Sequence, residues 1–201
     1  MIRTIYNDTK AFPILAHSLE EEGVSIEFEG SLLDSSGDLN HDKVVILKPD
    51  RFYNTRDFAT PPKSVDGVIV VQENNETYIY IAELKSSRSK HIKRLEIQEK
   101  FDTIFQNFFT VDFSHIFEET TYEIKTLRLW LVCDPLQIRQ RSRDQREYIE
   151  KAKKIKERLK GLLSEITSGL RPYKYKGVQA AIEPMLSPPS IHNQGYTDIL
   201  A

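Results

Sequence analysis

Two apolar runs separated by a short polar interruption most constrain how this chain can fold. They lie in SVDGVIVVQENNETYIYIAELKSS, residues 64–87. Both runs, residues 68–71 and 77–82, are rich in β-branched and aromatic side chains, which favour strands over helices. Between them, Asn74 and Asn75 tolerate positive φ and are expected to form a two-residue turn. The segment is therefore predicted to be a β-hairpin.

The turn fixes the register of the hairpin and brings charged side chains together. Counting outward from the turn, Asp66 lies opposite Glu83, with Cβ atoms about 4.5–5.5 Å apart. Lys85 follows Glu83 by two residues, so strand alternation turns both side chains to the same face. Apolar residues on both faces predict that the strands are buried, which raises the cost of facing two carboxylates. Asp66, Glu83 and Lys85 are therefore expected to share one site.

Two interpretations of this cluster are open. In the first, the three side chains form a salt-bridge cluster at the edge of a sheet. In the second, Asp66 and Glu83 hold a divalent cation, and Lys85 lies beside it. Magnesium suits the second case, because it takes oxygen ligands and is commonly held by one or two carboxylates.

The segments around the hairpin have the periodicities of helices and strands. The stretch DTKAFPILAHSLEEEG, residues 8–23, is predicted to form a helix that begins near Asp8 and ends at Gly23, with Glu22 on its inward face. Apolar alternation and helical spacing predict the other elements. The predicted strands are residues 24–30, 43–47 and 123–134, and the predicted later helices are residues 90–109 and 136–168.

This order of elements predicts an α/β fold with a mixed central sheet. The connection from residues 77–84 to residues 123–133 through a helix should make those two strands parallel. Helices are expected on both faces of the sheet. Residues 1–168 are expected to form one domain that ends in a long helix. Residues 169–201, rich in Pro and Tyr, are expected to be an extension that packs on it.

With these elements in place, the chain resembles the PD-(D/E)xK nuclease superfamily, which includes many restriction endonucleases and junction resolvases. The resemblance covers residues 10–135, with Asp66 before one central strand and Glu83-Leu84-Lys85 at the end of the next. It implies a restriction endonuclease-like core with the order αβββαβ. Val65 stands before Asp66, where the family name records a proline that many members lack.

The resemblance also implies roles for individual residues. Asp66 and Glu83 would bind Mg²⁺, for which Mn²⁺ can substitute, and Lys85 would orient the attacking water or stabilise charge. Some branches of the family carry a further glutamate on the first helix, and Glu22 is the residue that matches it here. Asp66, Glu83, Lys85 and Glu22 are therefore the expected catalytic residues.

Nucleic-acid contacts are expected from the distribution of charge rather than from its total. The net charge is −2, but residues 139–160 contain ten basic residues against four acidic ones. Basic side chains at this density can neutralise phosphates, although a solvated helix face with Glu–Lys pairs has a similar composition. Polar and basic residues also follow Lys85 directly. The candidate contacts are Ser87, Arg88, Lys90, Arg94, Arg139, Arg141 and Arg143.

The function expected from these features is a Mg²⁺-dependent DNA endonuclease, of restriction type or associated with a phage or plasmid. Cutting both strands would most simply use a homodimer. The alternatives are a non-catalytic module of the same fold that binds nucleic acid or a partner, and a structural protein with an incidental salt bridge. No apolar run approaches a membrane span, and residues 1–10 lack a signal-peptide core. A cytoplasmic location without membrane contact is expected.

Overall fold

The structure, a computed structural model, describes residues 1–54, 58–193 and 195–200, without the side chain of Lys90. The α-helices are α1 (Ile2–Tyr6), α2 (Pro49–Tyr53), α3 (Arg94–Thr103), α4 (Ser114–Phe117), α5 (Gln145–Lys154) and α6 (Lys156–Thr167). A π-helical segment, Ile104–Asp112, continues α3, and 3₁₀ turns cover Phe12–Ile14, Gly30–Leu32, Ser89–His91 and Arg139–Arg141.

The strands divide into a main sheet, a second sheet and a small hairpin. They are β1 (Leu15–Ala16), β2 (Leu19–Glu21), β3 (Val24–Phe28), β4 (Val44–Leu47), β5 (Gly67–Glu73), β6 (Glu76–Lys85), β7 (Ile124–Cys133), β8 (Tyr173–Tyr175), β9 (Val178–Ala180), β10 (Ile182–Leu186), β11 (Ser190–His192) and β12 (Gly195–Thr197). The predicted strands at residues 24–30, 43–47 and 123–134 are confirmed, since they correspond to β3, β4 and β7.

The central hairpin of β5 and β6 forms as predicted. Its turn residues, Asn74 and Asn75, have φ angles of 51° and 66°. Two consecutive positive φ angles are typical of a type I′ turn, whose twist matches that of the paired strands. At the far end of the hairpin, Gly67 lies opposite Ala82. The register predicted from the turn is therefore confirmed.

The hairpin lies in the middle of a six-stranded sheet with the order β1-β4-β5-β6-β7-β10. β6 and β7 are parallel, as predicted for a connection through a helix, and β10 adds parallel to the other side of β7. The pairs formed by β1, β4, β5 and β6 are antiparallel. The prediction of an α/β fold with a mixed sheet is confirmed at this level.

Residues after 168 contribute strands to both sheets. β10 extends the main sheet, while β11 and β12 join β2 and β3 in a second sheet with the order β12-β11-β3-β2. β11 pairs with β3 in parallel, so segments far apart in sequence share this sheet. β8 and β9 form a separate two-stranded hairpin.

Each face of the main sheet has its own apolar core, as the residues on both sides of the hairpin predict. Val68 and Ile81 are fully buried in the core shared with α3, α5 and α6. Ile69 is fully buried and Tyr80 nearly so, in the core between the main sheet and the second sheet. β5 and β6 are therefore enclosed on both faces, and their ends are where charged groups can meet the surface. The prediction of helices on both faces is wrong, because the second sheet, formed partly by residues after 168, covers one of them.

The prediction of a helix over residues 8–23 is wrong. Phe12–Ile14, with Pro13 at the centre, form a single 3₁₀ turn, and the chain then continues as β1, paired with β4, and β2, paired with β3. β2 returns into β3 through a tight turn in which Glu22 and Gly23 have φ angles of 47° and 80°. Backbone hydrogen bonds to neighbouring strands replace the helical ones, and Leu19 packs on the main sheet. The apolar residues whose spacing suggested a helix therefore lie in a 3₁₀ turn and two short strands.

The helix predicted over residues 136–168 starts later and is broken in the middle. The buried carboxylate of Asp134 accepts hydrogen bonds from two backbone N–H groups, at 2.9 and 2.7 Å, and holds the following residues in a turn. α5 begins after Asp144, whose side chain caps it. Ile155, with φ −120° and ψ 25°, separates α5 from α6.

The helix predicted over residues 90–109 begins at Arg94 and ends at Asp112, with its last part in π conformation. Most of its predicted apolar face is buried, namely Ile97, Phe101, Ile104 and Phe108. No helix in the described ranges has both the length and the apolar surface that crossing a bilayer requires.

Gly67 marks the closest approach of the second sheet to the hairpin. A Cβ atom at position 67 would lie 2.4 Å from Cδ2 and 3.2 Å from Cγ of Leu19, which is fully buried. We therefore expect Gly67→Ala to lower the free energy of unfolding by about 1–3 kcal/mol, as overpacking does. Chemical denaturation measures this change.

Gly161, in the exposed face of α6, is the matched control. A Cβ atom there meets nothing within 4 Å, so Gly161→Ala should raise the free energy of unfolding by about 0.5–1 kcal/mol through helix propensity. If Gly67→Ala were as stable as the wild type, the contact between Leu19 and β5 would not be a constraint on the fold.

Candidate active site

Asp66, Glu83 and Lys85 lie together at one end of the hairpin. Asp66 directly precedes β5, and its Oδ2 atom accepts a hydrogen bond from the backbone N–H of Leu84 at 2.6 Å. Lys85 ends β6, with Nζ 2.6 Å from Oε1 of Glu83. Asp66 is 8% exposed and Glu83 is fully buried. Two buried carboxylates and one partly buried ammonium therefore share this place.

Lys100 of α3, which is not among the predicted site residues, completes the surroundings of Glu83. Its Nζ atom lies 2.7 Å from Oε1 and 2.9 Å from Oε2 of Glu83. Lys100 stands three residues after Ile97 and four before Ile104, so it shares the inward face of the helix with them. A lysine within an apolar helical face is the sequence signal that could have identified it.

The glutamate expected on the first helix lies instead beside the turn between β2 and β3. Glu22 is in that turn, is exposed, and accepts a hydrogen bond from the hydroxyl of Ser86. Its neighbour Glu21 faces the site, because strand alternation places it on the same side as Leu19. The carboxyl groups of Glu21 and Asp66 lie within hydrogen-bonding reach of each other. The glutamate that approaches the site is thus one position earlier than predicted.

Of these residues, Glu21, Asp66 and Lys100 line a cleft of about 300 Å³, and Glu83 and Lys85 lie behind them. Its lining comes from β2, from α2, from the segment before β5 and from α3, and consists of Glu21, Asp50, Asn54, Pro61, Pro62, Lys63, Ser64, Asp66 and Lys100. Two oxygen atoms there, Oδ1 of Asp50 and Oγ of Ser64, are buried and have no hydrogen-bond partner among the described residues. The cleft is therefore polar and acidic, and two of its buried oxygen atoms could still accept a hydrogen bond or bind a cation.

The excess of carboxylates changes the protonation of the site. Burial, followed by repulsion from Asp66, raises the pKa of Glu83 to about 7, although the neighbouring lysines oppose the shift. Burial and then Asp66 also raise the pKa values of Glu21 and Asp50. Burial alone would lower the pKa of Lys85, but Glu83 and Asp66 outweigh it and the net shift is upward. Added positive charge would favour the ionised form of each acid.

The donor set fits a hard divalent cation in its chemistry. Asp66, Glu83, Glu21 and Asp50 offer carboxylate oxygens, which Mg²⁺ prefers, and the unpartnered oxygens of Asp50 and Ser64 lie at the same cleft. Within the described ranges, however, no three His, Cys, Asp or Glu side chains form a ready-made metal-binding group. Glu83 in particular has both oxygens on Lys100.

The predicted nucleic-acid contacts that follow β6 lie near this site. Ser87 and Arg88 are exposed, and Nε of Arg88 donates to Oε1 of Gln137 at 3.0 Å. Arg94, at the start of α3, donates to the backbone oxygen of Glu165 at 2.8 Å. The side chain of Lys90 lies outside the described residues. Arg88 and Arg94 each donate a hydrogen bond to a neighbouring segment, although both remain exposed.

The three predicted arginine contacts after β7 have different surroundings. Arg139 is partly buried, and its Nη1 atom donates to the hydroxyl of Ser25 at 3.1 Å. Arg143 is exposed and pairs with Glu147 at 3.1 Å. Arg141 is exposed and borders a separate cleft on α5 and α6. Of the three, Arg141 is the one whose side chain has no hydrogen-bond or ion-pair partner in the described part of the chain.

A larger cleft, of about 640 Å³, lies between β3 and the loop before β4. It contains His17, His41 and three acids. Asp34 and Asp38 are hydrogen-bonded within their own exposed loop, and Glu27 is an exposed residue of β3. The smaller cleft at Asp66 is therefore the candidate site, because Asp66 and the neighbouring Glu83 are buried together and Glu83 is paired with two lysines.

Comparison with family models, with curated proteins and with solved structures gives no match. The geometry and electrostatics of the cleft at Asp66 therefore carry the functional argument.

The raised pKa of Glu83 predicts a specific dependence of stability on pH. Folded Glu83 keeps its proton up to about pH 7, whereas the unfolded chain loses it near the ordinary value of 4.5. Between these values the folded state binds more protons, so stability falls as pH rises, by up to about 3 kcal/mol from this group. We expect Glu83→Gln to remove this fall. Denaturant unfolding in EDTA at a series of pH values measures it.

Glu147→Gln serves as the control for that pH series. Hydrogen bonds from the backbone and side chain of Arg143 lower the pKa of Glu147 to about 2. Its contribution is therefore lost only below the ordinary value of 4.5, and the variant should parallel the wild type from pH 5 to pH 7. A Glu83→Gln curve that also parallels the wild type would contradict the raised pKa.

Lys85 and Lys100 are expected to compensate for each other. Either single change to alanine leaves Glu83 one ammonium partner, whereas the double variant leaves a buried carboxylate beside Asp66 with no counter-charge. At pH 8, the loss of stability in the double variant should exceed the sum of the single losses by about 1 kcal/mol or more. Additive losses in this double-mutant cycle would show that the two lysines do not stabilise the same carboxylate.

Proposed function

We propose that the chain is a Mg²⁺-dependent nuclease that hydrolyses phosphodiester bonds in DNA. The observation that carries this proposal is the convergence of Asp66, Glu83 and Lys85 at the ends of two adjacent buried strands. Strands hold these groups more rigidly than a loop would, and Glu21 and Lys100 reach the same place from neighbouring elements.

The chemistry of phosphodiester hydrolysis suits these groups. The reaction needs a water nucleophile and stabilisation of negative charge on the phosphoryl oxygens. Asp66 and Glu83 would hold Mg²⁺, which when bound would supply positive charge against those oxygens. Lys85 is partly exposed beside the carboxylates, so its ammonium can donate to a phosphoryl oxygen or orient the water. Lys100 fixes the orientation of Glu83, and Glu21 adds a further carboxylate at the mouth of the cleft.

The order of elements supports a restriction endonuclease-like description. β4, β5, β6, α3 and β7 follow the βββαβ part of the order that the PD-(D/E)xK resemblance implies, whereas β1 and β2 stand where its first helix was expected. Asp66 precedes β5 and Glu83-Leu84-Lys85 ends β6, as in that family's motif. A restriction enzyme, or a nuclease associated with a phage or plasmid, is the setting that we propose.

The proposal includes a homodimer as the form that cuts duplex DNA. One such acidic cleft is found in the described part of each chain, so two chains related by a twofold axis would present one site to each strand. The proposed cofactor is Mg²⁺, with Mn²⁺ as a substitute.

A second candidate function is a non-catalytic module that binds nucleic acid or a partner. One observation favours it, which is that Glu83 has both oxygens on Lys100 and one on Lys85. A carboxylate satisfied in this way can be a purely structural ion pair. Under that alternative Mg²⁺ would neither stabilise the protein nor be needed for any activity.

Asp66→Asn separates these candidates. The change removes repulsion against Glu83 and Glu21, while the amide oxygen can still accept the hydrogen bond from Leu84 N–H. We therefore expect the metal-free variant to be as stable as the wild type or slightly more stable, and to have lost cleavage of duplex DNA. Thermal unfolding should show that Mg²⁺ raises the Tm of the wild type but not of the variant, since a ligand stabilises only the state that binds it.

Asp42→Asn, which changes an exposed acid outside the cleft, is the matched control and should cut DNA as the wild type does. If Asp66→Asn cuts at the wild-type rate, the nuclease proposal fails at its central residue. If the wild type neither cuts DNA nor gains stability from Mg²⁺, the non-catalytic alternative is supported.

A further inference from the structure

A basic cleft of about 430 Å³ lies on the other side of the turn that follows β7. Its lining combines aliphatic and basic side chains, which are Leu136, Ile138, Arg141, Lys151, Lys154, Ile155 and Arg158. This set is called the basic cleft below. None of the residues predicted to bind metal belongs to it, and no acidic residue is part of its lining.

Two local features build the basic cleft. The carboxylate of Asp134 holds the turn that carries Ile138 and Arg141 against the sheet. The interruption at Ile155 then separates α5 from α6, so that Lys154 ends one helix while Arg158 lies in the first turn of the next. The concave surface therefore depends on a break in what would otherwise be one continuous helix.

The cations of the basic cleft are largely uncompensated. Lys151 pairs with Glu147 at 3.1 Å and donates to the backbone oxygen of Arg141. By contrast, the side chains of Arg141, Lys154 and Arg158 form no hydrogen bond or ion pair with any described residue. Arg146, an exposed cation of α5 outside the basic cleft, is by contrast paired with Glu150 at 3.3 Å. A local excess of positive charge in a concavity attracts an anion more strongly than the same charges spread over a surface.

The floor of the basic cleft indicates which part of an anionic polymer would lie there. Leu136, Ile138 and Ile155 are aliphatic, and their apolar surface weakens the solvent screening of the charges around them. Stacking on nucleic-acid bases generally uses aromatic side chains, and the floor has none. The chemistry therefore matches phosphates, which basic side chains contact without regard to base sequence.

The segments that lead to the basic cleft and away from the candidate active site start at the paired ends of two strands. Lys85 and Cys133 are paired at the ends of β6 and β7. Beyond them, Nε of Arg88 donates to Gln137 and the backbone N–H of Ser89 donates to Pro135. The turns after the two strands thus lie side by side, one leading from Lys85 and the other to Arg141.

We propose that the basic cleft binds the phosphodiester backbone of a nucleic acid at a point away from the phosphate that is cut. The inference rests on the proposed function in one respect, namely that the bound nucleic-acid strand runs from the basic cleft towards the cleft at Asp66. The binding itself requires no catalysis. Arg141, Lys154 and Arg158 neutralise phosphates, and the aliphatic floor lies beneath the backbone. Binding is independent of sequence and weakens steeply with salt.

The test compares two double variants with the same change in charge. Arg141→Ala with Arg158→Ala removes two arginines of the basic cleft. Lys125→Ala with Arg146→Ala removes two exposed cations outside the basic cleft that are paired with Glu76 and Glu150. Fluorescence anisotropy with labelled duplex DNA, single-stranded DNA and RNA, in EDTA over a salt series, gives the affinity and its salt slope for each protein.

The cleft variant should bind its preferred nucleic acid at least about tenfold more weakly, and the slope of log K against log[salt] should be shallower by about 1–2. The control variant should stay close to the wild type. Equal effects of the two variants, or none, would overturn the inference, and so would an acidic peptide that binds the cleft while all three nucleic acids do not.

The same proteins separate this inference from the proposed function. If the wild type cuts DNA with Mg²⁺ and the cleft variant binds DNA like the wild type, the inference fails while the nuclease proposal stands. If nothing is cut but the cleft variant alone loses binding, the inference stands and the nuclease proposal fails. Circular dichroism of both variants shows whether they are folded.

Discussion

The pairing of buried Glu83 with two lysines is the interaction on which this architecture depends. Glu83 has no exposed surface, and an unpaired carboxylate in such a place costs several kcal/mol. Its partners come from different elements, since Lys85 ends β6 and Lys100 lies on the inward face of α3. The ion pairs therefore join the end of the hairpin to the helix that covers it, and the apolar packing of α3 fixes where the second ammonium can reach.

The surrounding acids leave that arrangement unbalanced. Asp66, Glu21 and Asp50 add carboxylates beside Glu83, and burial, followed by repulsion from Asp66, raises the pKa values of the other three. A salt-bridge cluster that served only stability would not gather this excess, because protonation or a counter-ion is required to relieve it. The fold nevertheless enforces the crowding, since Leu19 packs against Gly67 and carries Glu21 of the same strand to Asp66.

The sequence predicts the part of this site that strand geometry alone determines. Asn74 and Asn75 define the turn, the turn defines the register, and the register places Asp66 near Glu83. Glu21 and Lys100 enter through tertiary packing instead. The segment before Gly23 has apolar spacing compatible with a helix, and only the neighbouring strands β3 and β4 draw it into two strands. Lys100 occupies an inward helical position, but which strand that position faces depends on how α3 crosses the sheet. Similarly, the break between α5 and α6 at Ile155 could not be predicted, because no Pro or Gly adjoins that residue.

The placement of charge is compatible with the proposed action on a polyanion, although the net charge is −2. Without a cation, the carboxylates around Asp66 repel a phosphate, so the cleft at Asp66 contributes little affinity of its own. Screening confines this repulsion to about 8 Å at physiological ionic strength, and cations outside that range keep their attraction. Affinity would then come from the basic cleft and from exposed groups such as Arg88, while the carboxylates act only once a cation is bound. In such an arrangement the divalent cation is needed for cutting but not for holding the nucleic acid, which keeps recognition and hydrolysis separately adjustable.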